Sequence, residues 1–520
     1  MKKKIAWLLI LVLALGLAGC GGSSGDEGPE SAAAPNYYPT AFVGAINEDG
    51  NAFVPTMDGG VFEVNGEVRD IYITPDRSKA VYLDDDGGLF YIEIPDGERE
   101  RIARDAASCR VSDKCVWYFT EDEEEDEVCL YRYAYGDEEA FRVFSAERDA
   151  AGNMGFDARG LNAVYTVDEK VYYLGWNDAE PEKIGAYEGV IYNFFVAQNG
   201  SFAVWADISG STVTLYCWEN GERSRLGEFE STSQYPYCLF FADPSEQYFT
   251  AACDGSEIMF FKKIGEDAVK IKLPDKLSIA NMFPKTPQGY FGYVPYDPAG
   301  GFYILSGDTL CWIDSEGERE KAASNVADFT TAGGWIYLLD ADGNLRAGPA
   351  EGSELELEKI AGDVGAIVNS AIGADVIYYL RSVSDSHGTL YALEVGGVEP
   401  VKVAGGVYSS YLTYGTDGKT IYFFKDCDSV PGTSNTMAGS LYRYTFGDES
   451  PEKISGDVVV EYVRSGVNPY VAEADSFLYR KAPEYRDGSL YFNWMYYDGA
   501  ESVRLAGDVS ISDISALLYY

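Results

Sequence analysis

Short apolar segments of four to eight residues, rich in Tyr, Phe, Val and Ile, recur along the chain from about Thr40 to its end. Asp-Gly, Asn-Gly and Gly-Gly pairs separate many of them, and such pairs are typical of tight β-hairpins. Residues 80–83 before the turn 84–87 are one example, and residues 335–338 before the turn 340–343 are another. No long segment has the 3.6-residue period of an amphipathic helix. The pattern predicts an all-β chain.

A short motif ends each group of strands. It consists of a basic or polar residue, an aliphatic residue and a small residue, often followed by Gly-Asp-Val. The clearest copies are Lys359–Val364, Lys453–Val458 and Arg504–Val509, and weaker ones begin at Arg101, Lys183, Arg225 and Lys402. The mean spacing of the copies is about 45 residues, and four short strands in a repeat of that length are typical of a β-propeller blade.

Adding a shorter first unit around residues 41–70 gives about eleven four-stranded blades. Because a propeller usually closes with four to eight blades, we expect two packed propellers, one over residues 40–280 and one over residues 281–520. Prolines between residues 273 and 288 interrupt the strand pattern and mark the expected boundary. Residues 508–520 begin where an inner strand is due, and we expect that strand to complete the first or a neighbouring blade and close a ring.

The strand-turn-strand segments 73–82 and 414–422, with degenerate copies at 196–204 and 241–249, resemble the core of TolB-type propeller repeats. Residues 388–394 resemble the third strand of related repeats that are common in secreted bacterial lipoproteins. The resemblance implies the β-propeller fold. It does not imply the TolB partners, because the separate N-terminal domain typical of TolB is missing.

The N-terminus carries Lys2 to Lys4 and then an apolar run over residues 5–17, which is too short to span a bilayer and is typical of a signal peptide. The run ends in Leu17-Ala18-Gly19-Cys20, which resembles the lipobox of bacterial lipoproteins. The resemblance implies that residues 1–19 are cleaved and that Cys20 receives two acyl chains, which suffice for stable attachment to the lipid bilayer. Residues 20–39 are small and polar and are expected to form a flexible tether.

The chain has 84 acidic and 40 basic residues and a net charge of −44, which excludes nucleic acid as a partner because phosphate binding needs a basic surface. His387 is the single histidine, so a Ser-His-Asp, Cys-His or multi-histidine zinc site would have to be built around it.

Eight cysteines follow Cys20, an even number that permits disulfides in an exported chain. Cys109 and Cys115 could face each other across a hairpin. Because most of the eight lie in apolar strands, buried free thiols are the preferred interpretation, and the absence of a Cys-x-x-Cys pair gives no support to a metal or redox motif. They are Cys109, Cys115, Cys129, Cys217, Cys238, Cys253, Cys311 and Cys427.

The acidic run 121–127 lies between two apolar segments and predicts an extended, solvated hairpin loop, although calcium could screen it. Asp84 to Asp86, and Asp340 with Asp342, are interpreted as turn formers rather than metal ligands. Most of the 41 tyrosines are expected to pack between blades, while the aromatic clusters at 235–237, 290–293 and 494–497 are open to a binding role. We assign no catalytic residue, no cofactor and no metal site.

These patterns predict a lipid-anchored protein on the extracytoplasmic face of the cell membrane, where its propellers act as a non-catalytic binding platform for an envelope protein or glycan. The alternative is a carbohydrate-binding or carbohydrate-cleaving envelope protein that uses carboxylates and tyrosines at a propeller channel.

Overall fold

The computed structural model describes residues 42–510 except for a set of internal gaps, and all structural statements concern these residues. The gaps are residues 44, 48, 57–59, 75, 96, 123, 158, 192–193, 231–237, 244, 254, 277–300, 369–373, 416, 462–470 and 473–475. The regular structure of this part consists of short strands, paired almost throughout in antiparallel order, and one 3₁₀ turn, Arg148–Ala150. The prediction of an all-β chain is confirmed.

The strands form one small N-terminal sheet followed by ten sheets, S1 to S10, that succeed one another along the chain. The N-terminal sheet consists of Ala45–Ile46, Ala52–Pro55 and Val61–Val64, and S1 consists of Phe42–Val43, Val68–Ile73, Lys79–Asp84, Leu89–Glu93 and Arg99–Ala103. S2 consists of Ala106–Val111, Cys115–Asp122, Glu127–Ala134 and Phe141–Glu147. S3 consists of Ala151–Phe156, Ala163–Val167, Lys170–Leu174 and Glu182–Ala186.

S4 consists of Phe194–Val196, Phe202–Ser209, Thr212–Glu219 and Glu222–Glu230, and S5 consists of Cys238–Ala242, Tyr248–Cys253, Ile258–Lys263 and Val269–Lys272. S6 consists of Phe302–Ser306, Thr309–Ile313 and Arg319–Ala323. S7 consists of Val326–Ala332, Trp335–Asp340, Leu345–Pro349 and Glu358–Ala361. S8 consists of Val364–Ile367, Val376–Ser384, His387–Glu394 and Val401–Tyr408. S9 consists of Thr413–Gly415, Thr420–Ser429, Met437–Thr445 and Glu452–Val459. S10 consists of Val471–Ala472, Phe477–Arg486, Ser489–Tyr497 and Ser502–Ser510.

In each of S1 to S9 consecutive strands pair in antiparallel order, which is the strand order of a propeller blade. In S10 the last three strands pair in this way, whereas Val471–Ala472 pairs in parallel with Thr413–Gly415 of S9. S8, S9 and S10 are joined into one 12-stranded sheet by single residue pairs such as Val407 with Lys425 and Val458 with Lys481. The β-propeller fold class and the estimate of about eleven blades agree with this arrangement, in which the N-terminal sheet is the shorter first unit.

One copy of the Gly-Asp-Val motif, at residues 362–364, lies between the last strand of S7 and the first strand of S8, and the other two copies form β-bulges inside the last strands of S9 and S10. Asp363, Asp457 and Asp508 all have left-handed backbone conformations, with φ between 57° and 62°. Asp tolerates this conformation better than most residues with a Cβ atom. The valine that follows is buried between sheets, as in Val364 and Val458. The motif therefore combines a left-handed residue, which turns the backbone, with a buried core side chain.

Hydrophobic clusters lie between successive sheets along the whole series. Trp117 of S2 packs in one cluster with Tyr165 of S3, and Phe241 of S5 packs in another with Phe302 of S6. Equivalent clusters join the pairs S1–S2, S3–S4, S4–S5, S6–S7, S7–S8, S8–S9 and S9–S10.

A tenth cluster closes the order of packing, because it unites the last sheet, the first sheet and the N-terminal sheet. Phe492 of S10, Ile71 of S1 and Val54 of the N-terminal sheet all belong to it. A buried guanidinium reinforces this seam: Arg77 Nη1, in the first turn of S1, donates a hydrogen bond to Tyr496 Oη of S10 at 3.0 Å.

The division into propellers at 280/281 falls between residues 277 and 300, outside the described residues, and stays a prediction. Any such division has to accommodate the clusters that join S5 to S6 and S10 to S1. Residues 511–520 also lie outside the described part, so the closing C-terminal strand stays a prediction beyond Ser510.

Candidate binding face

The central hairpins of S8, S9 and S10 extend beyond the packed core. Their second strands, Val376–Ser384, Thr420–Ser429 and Phe477–Arg486, are nine or ten residues long. In each, the first four or five residues are buried and those that follow are exposed or half-buried. We call residues 381–388, 425–438 and 481–490 the projecting hairpins. Most of their residues stand outside the core that the same strands help to form.

A β-bulge separates the core half of each strand from its projecting half. The strand register shifts after Arg381, Lys425 and Lys481. The residue that follows each of them has a left-handed backbone conformation, with φ of 51°, 54° and 53° for Ser382, Asp426 and Ala482. A bulge bends and twists the strand, so the projecting halves leave the plane of the core sheet in the same way in three successive repeats.

Two of the three hairpins end in tight two-residue turns. Asp385 and Ser386 both have positive φ, and so do Asp487 and Gly488, which is the conformation of a type I′ turn. The hairpin of S9 has the longer loop 430–436 instead. In this loop Val430 N donates to Thr436 O at 2.9 Å, and the Thr433 hydroxyl donates to Val430 O at 2.8 Å. The loop is therefore held in shape by its own hydrogen bonds.

A pocket of about 500 Å³ lies between the S9 loop and the tip of the S10 hairpin. Its walls are residues 432–436 on one side and Tyr485 with residues 488–490 on the other. Gly432 lies against the Tyr485 ring: a Cβ at that glycine, whose φ is 89°, would stand 2.6 Å from the ring atom Cδ1. The glycine thus permits both the turn and the close approach of the loop to the ring.

His387 lies on the projecting hairpin of S8, where its contacts are structural. Its Nδ1 is 2.8 Å from the carbonyl oxygen of Asp385, and its ring packs edge-on against Tyr408 at 5.5 Å between centroids. Tyr408 in turn stacks on Tyr411 and places its hydroxyl 3.4 Å from Met437 Sδ. In the described part of the chain the His387 ring makes no hydrogen bond to a hydroxyl, a thiol or a carboxylate.

Two carboxylic acids are neighbours at the first turn of S1, the end of that sheet opposite its central hairpin. Asp76 N donates to Asp113 Oδ1 at 3.1 Å. Burial raises the pKa of Asp113; the hydrogen bond from the Asp76 backbone works against this rise, and the charge of the Asp76 carboxylate adds to it. For Asp76 burial also works to raise the pKa, but hydrogen bonds from Thr74 and Ser78 outweigh it and the pKa is lowered. Both acids serve to close turns and to join S1 to S2.

The eight cysteines of the described part of the chain divide into one disulfide and six free thiols. Cys238 and Cys253 face each other on adjacent strands of S5 and are bonded. The pairing considered for Cys109 and Cys115 is wrong, since Cys109 lies opposite Tyr118 and both thiols are free. Burial raises the pKa of Cys217 to about 12 and that of Cys427 to about 11, so neither forms a reactive thiolate near neutral pH.

The acidic run lies at an exposed hairpin end, as predicted, although Glu121, Asp122 and Glu127 belong to the paired strands rather than to a loop. It forms the end of the central hairpin of S2, between Cys115–Asp122 and Glu127–Ala134, and Arg148 Nη1 pairs with Glu121 at 2.6 Å. Among the described residues no group of three or more His, Cys, Asp or Glu side chains is arranged to hold a metal ion. Asp84 and Asp340 are turn formers: each accepts backbone hydrogen bonds within its own turn, from Gly88 at 2.6 Å and from Asn344 at 2.8 Å.

Several sequence predictions fall outside the described residues: the signal peptide 1–19, Cys20, the tether 20–39, and the aromatic clusters 235–237 and 290–293. Within the described part, Tyr496 and Tyr497 of the third aromatic cluster are buried in the core. A search of the same residues for a helix able to cross a membrane finds none.

Comparison with known proteins assigns this chain to no family. No protein-family model and no curated protein matches the sequence. Among solved structures, a eukaryotic initiation factor matches 80% of this chain and 96% of its own at 9% identity and a TM-score of 0.44. The tricorn protease matches 90% and 58% at 10% identity and a TM-score of 0.31. An oligogalacturonate lyase in complex with manganese matches 55% and 88% at 11% identity and a TM-score of 0.28.

Proposed function

We propose that this protein is an exported lipoprotein, anchored in the cell membrane through Cys20, whose β-propeller blades serve as a non-catalytic binding platform at the extracytoplasmic face. The observation that carries the proposal is the set of projecting hairpins on S8, S9 and S10. Their exposed halves contribute little to the hydrophobic core, and they stand side by side on three consecutive sheets. Binding residues are typically carried in this way by segments that a rigid scaffold positions.

The charge of these hairpins also supports recognition by contact. They hold four basic side chains, namely Arg381, Lys425, Lys481 and Arg486, against five acidic ones, whereas the whole chain has more than twice as many acids as bases. A mixed surface of this kind suits a partner that is matched group by group, and the acidic remainder of the protein keeps it soluble.

The Cys238–Cys253 disulfide supports export, because structural disulfides persist mainly in oxidising compartments. Lipid attachment is tested by metabolic labelling with a fatty-acid analogue. We expect label on the wild-type chain and none on Cys20→Ala, and label on both would contradict attachment at this residue.

The binding role is tested by capture from envelope extract with the full chain in mild detergent. In one variant an Asn-Gly turn replaces residues 382–388, which joins Arg381 to its cross-strand partner Thr389. The matched control replaces residues 122–127 of the S2 hairpin in the same way, since Glu121 pairs with Val128. We expect the first variant to lose a partner that the wild type and the control retain. Equal capture by all three chains would contradict the proposal.

A further inference from the structure

The pocket between S9 and S10 has a chemically uniform lining. Its nine residues include the hydroxyl side chains of Thr433, Ser434, Thr436 and Ser489, the amide of Asn435 and the ring of Tyr485, and none of the nine is charged. In a chain with a net charge of −44, an uncharged pocket disfavours ligands that need an ion pair. Its volume of about 500 Å³ lies in the range typical of small-molecule sites.

Several of these polar side chains are available to a ligand. Within the described part of the chain, Ser434, Asn435 and Ser489 use no side-chain atom in a hydrogen bond, whereas the Thr433 hydroxyl is engaged inside its own loop. An amide offers two donors and an acceptor, and a hydroxyl offers one donor and two acceptor lone pairs. This combination matches a ligand that carries many neutral hydroxyl groups, each of which both donates and accepts.

Tyr485 gives the pocket a flat aromatic wall. The residue is 43% exposed, which is high for a large apolar side chain of this protein. A tyrosine ring combines an apolar face with a polar tip, which suits a partner that is itself apolar on one face and polar at its edges. A pyranose ring has this character, since its axial C–H bonds form an apolar face and its hydroxyls point outward.

Both walls of the pocket are anchored in one core cluster, so the site is formed before a ligand arrives. Val430, at the base of the S9 loop, and Leu490, which pairs across the strands with Tyr485, are both buried in the cluster that closes the series of sheets. Internal hydrogen bonds hold the S9 loop, and the Asp487-Gly488 turn holds the S10 tip. A preformed site reduces the entropy lost on binding.

We infer that this pocket binds a neutral saccharide, with the Tyr485 ring against the sugar face and with Ser434, Asn435 and Ser489 on its hydroxyls. The inference rests on the proposed binding function and names one ligand class for it. It places the sugar at the hairpin tips and uses no carboxylate, in contrast to the channel site of the alternative function considered from the sequence.

The test uses the full chain in a detergent without a sugar headgroup, with binding measured by calorimetry and by saturation-transfer NMR. The probes are neutral gluco-, manno-, galacto- and xylo-oligosaccharides, with oligogalacturonate as the anionic comparison. The variants are Tyr485→Ala, Tyr485→Phe, Asn435→Ala and, as a matched control on the neighbouring residue, Glu484→Ala. Thermal unfolding of each variant verifies that it is folded.

We expect at least one neutral probe to bind, with affinity at least tenfold weaker in Tyr485→Ala and in Asn435→Ala. Tyr485→Phe keeps the ring and should bind within about threefold of the wild type, as should Glu484→Ala. Absence of binding to every neutral probe, binding of oligogalacturonate alone, or equal binding by Tyr485→Ala would each overturn the saccharide site. Because capture of an envelope partner by the projecting hairpins is measured separately, it can succeed where the saccharide test fails.

Discussion

The left-handed residue of the Gly-Asp-Val motif allows a quantitative test of how the repeat works. Asp457 is exposed in the bulge of the last strand of S9, directly before Val458, which pairs with S10, and its φ is 57°. A residue with a Cβ atom pays about 1–2 kcal/mol for the left-handed conformation, and glycine pays almost nothing for it. We therefore expect Asp457→Val to lower the free energy of unfolding by about 1–2 kcal/mol, and Asp457→Gly to stay within about 0.5 kcal/mol of the wild type.

Asp105 is a matched control, because it occupies the equivalent position in the crossing from S1 to S2. It is also exposed, but it is not among the described residues with positive φ. There, glycine should cost about 0.5–1 kcal/mol through the entropy of the unfolded chain, while valine should change the stability by no more than about 0.5 kcal/mol. Glycine and valine are therefore expected to rank in opposite orders at the two sites.

Equilibrium unfolding in urea, followed by tryptophan fluorescence, measures the four variants against the wild type. The expected changes are shifts of the transition midpoint at a constant dependence on urea concentration. If Asp457→Val were as stable as Asp457→Gly, the left-handed backbone would not be what selects aspartate in the motif, and the explanation of the repeat would be refuted.

Three further predictions concern titration, redox state and domain structure. Burial raises the pKa of Asp157 above its usual value near 3.8. The wild type should therefore gain stability relative to Asp157→Asn as the pH falls through the raised pKa, and the gain should end below about 3.8. A parallel pH dependence of the stability of the two chains would contradict this. Peptide mapping without reduction should find the Cys238–Cys253 disulfide. The six free thiols of the described part of the chain should resist alkylation at pH 7.5, and fast alkylation of Cys427 would show that its thiol is more accessible than the structure indicates. Residues 40–280 expressed alone lose the clusters that join S5 to S6 and S10 to S1, so we expect no cooperative unfolding; a cooperative transition would instead support two separate propellers.

Much of the fold could be predicted because each repeat leaves two independent marks on the sequence. Short apolar segments separated by Asp-Gly, Asn-Gly and Gly-Gly pairs predict the strands. The Gly-Asp-Val motif indicates a left-handed backbone residue, a conformation that few residue types adopt, followed by a buried valine. Both patterns involve only residues close in sequence, so they can be recognised without knowing which sheets are in contact. The order of sheet packing depends on contacts distant in sequence, such as that of Arg77 with Tyr496, and no local pattern reports them.

The candidate site was harder to predict for the same reason. Residues 430–436 are small and polar and look like any long turn, and Tyr485 is one tyrosine among 41. These residues form a pocket only because S9 and S10 lie side by side and because Gly432 allows the Tyr485 ring to approach the loop. The disulfide is similar, since only the register of S5 places Cys238 opposite Cys253.

The closed order of packing distinguishes this protein from open arrays of repeats. In an open array the terminal repeats have one neighbour each, and they fray or require special caps. Here S1 and S10 cover each other, with the N-terminal sheet between them, so each sheet of the series is supported on both sides. Because their exposed tips contribute little to this mutual support, hairpin sequences can diverge over evolution while the blades beneath them stay the same.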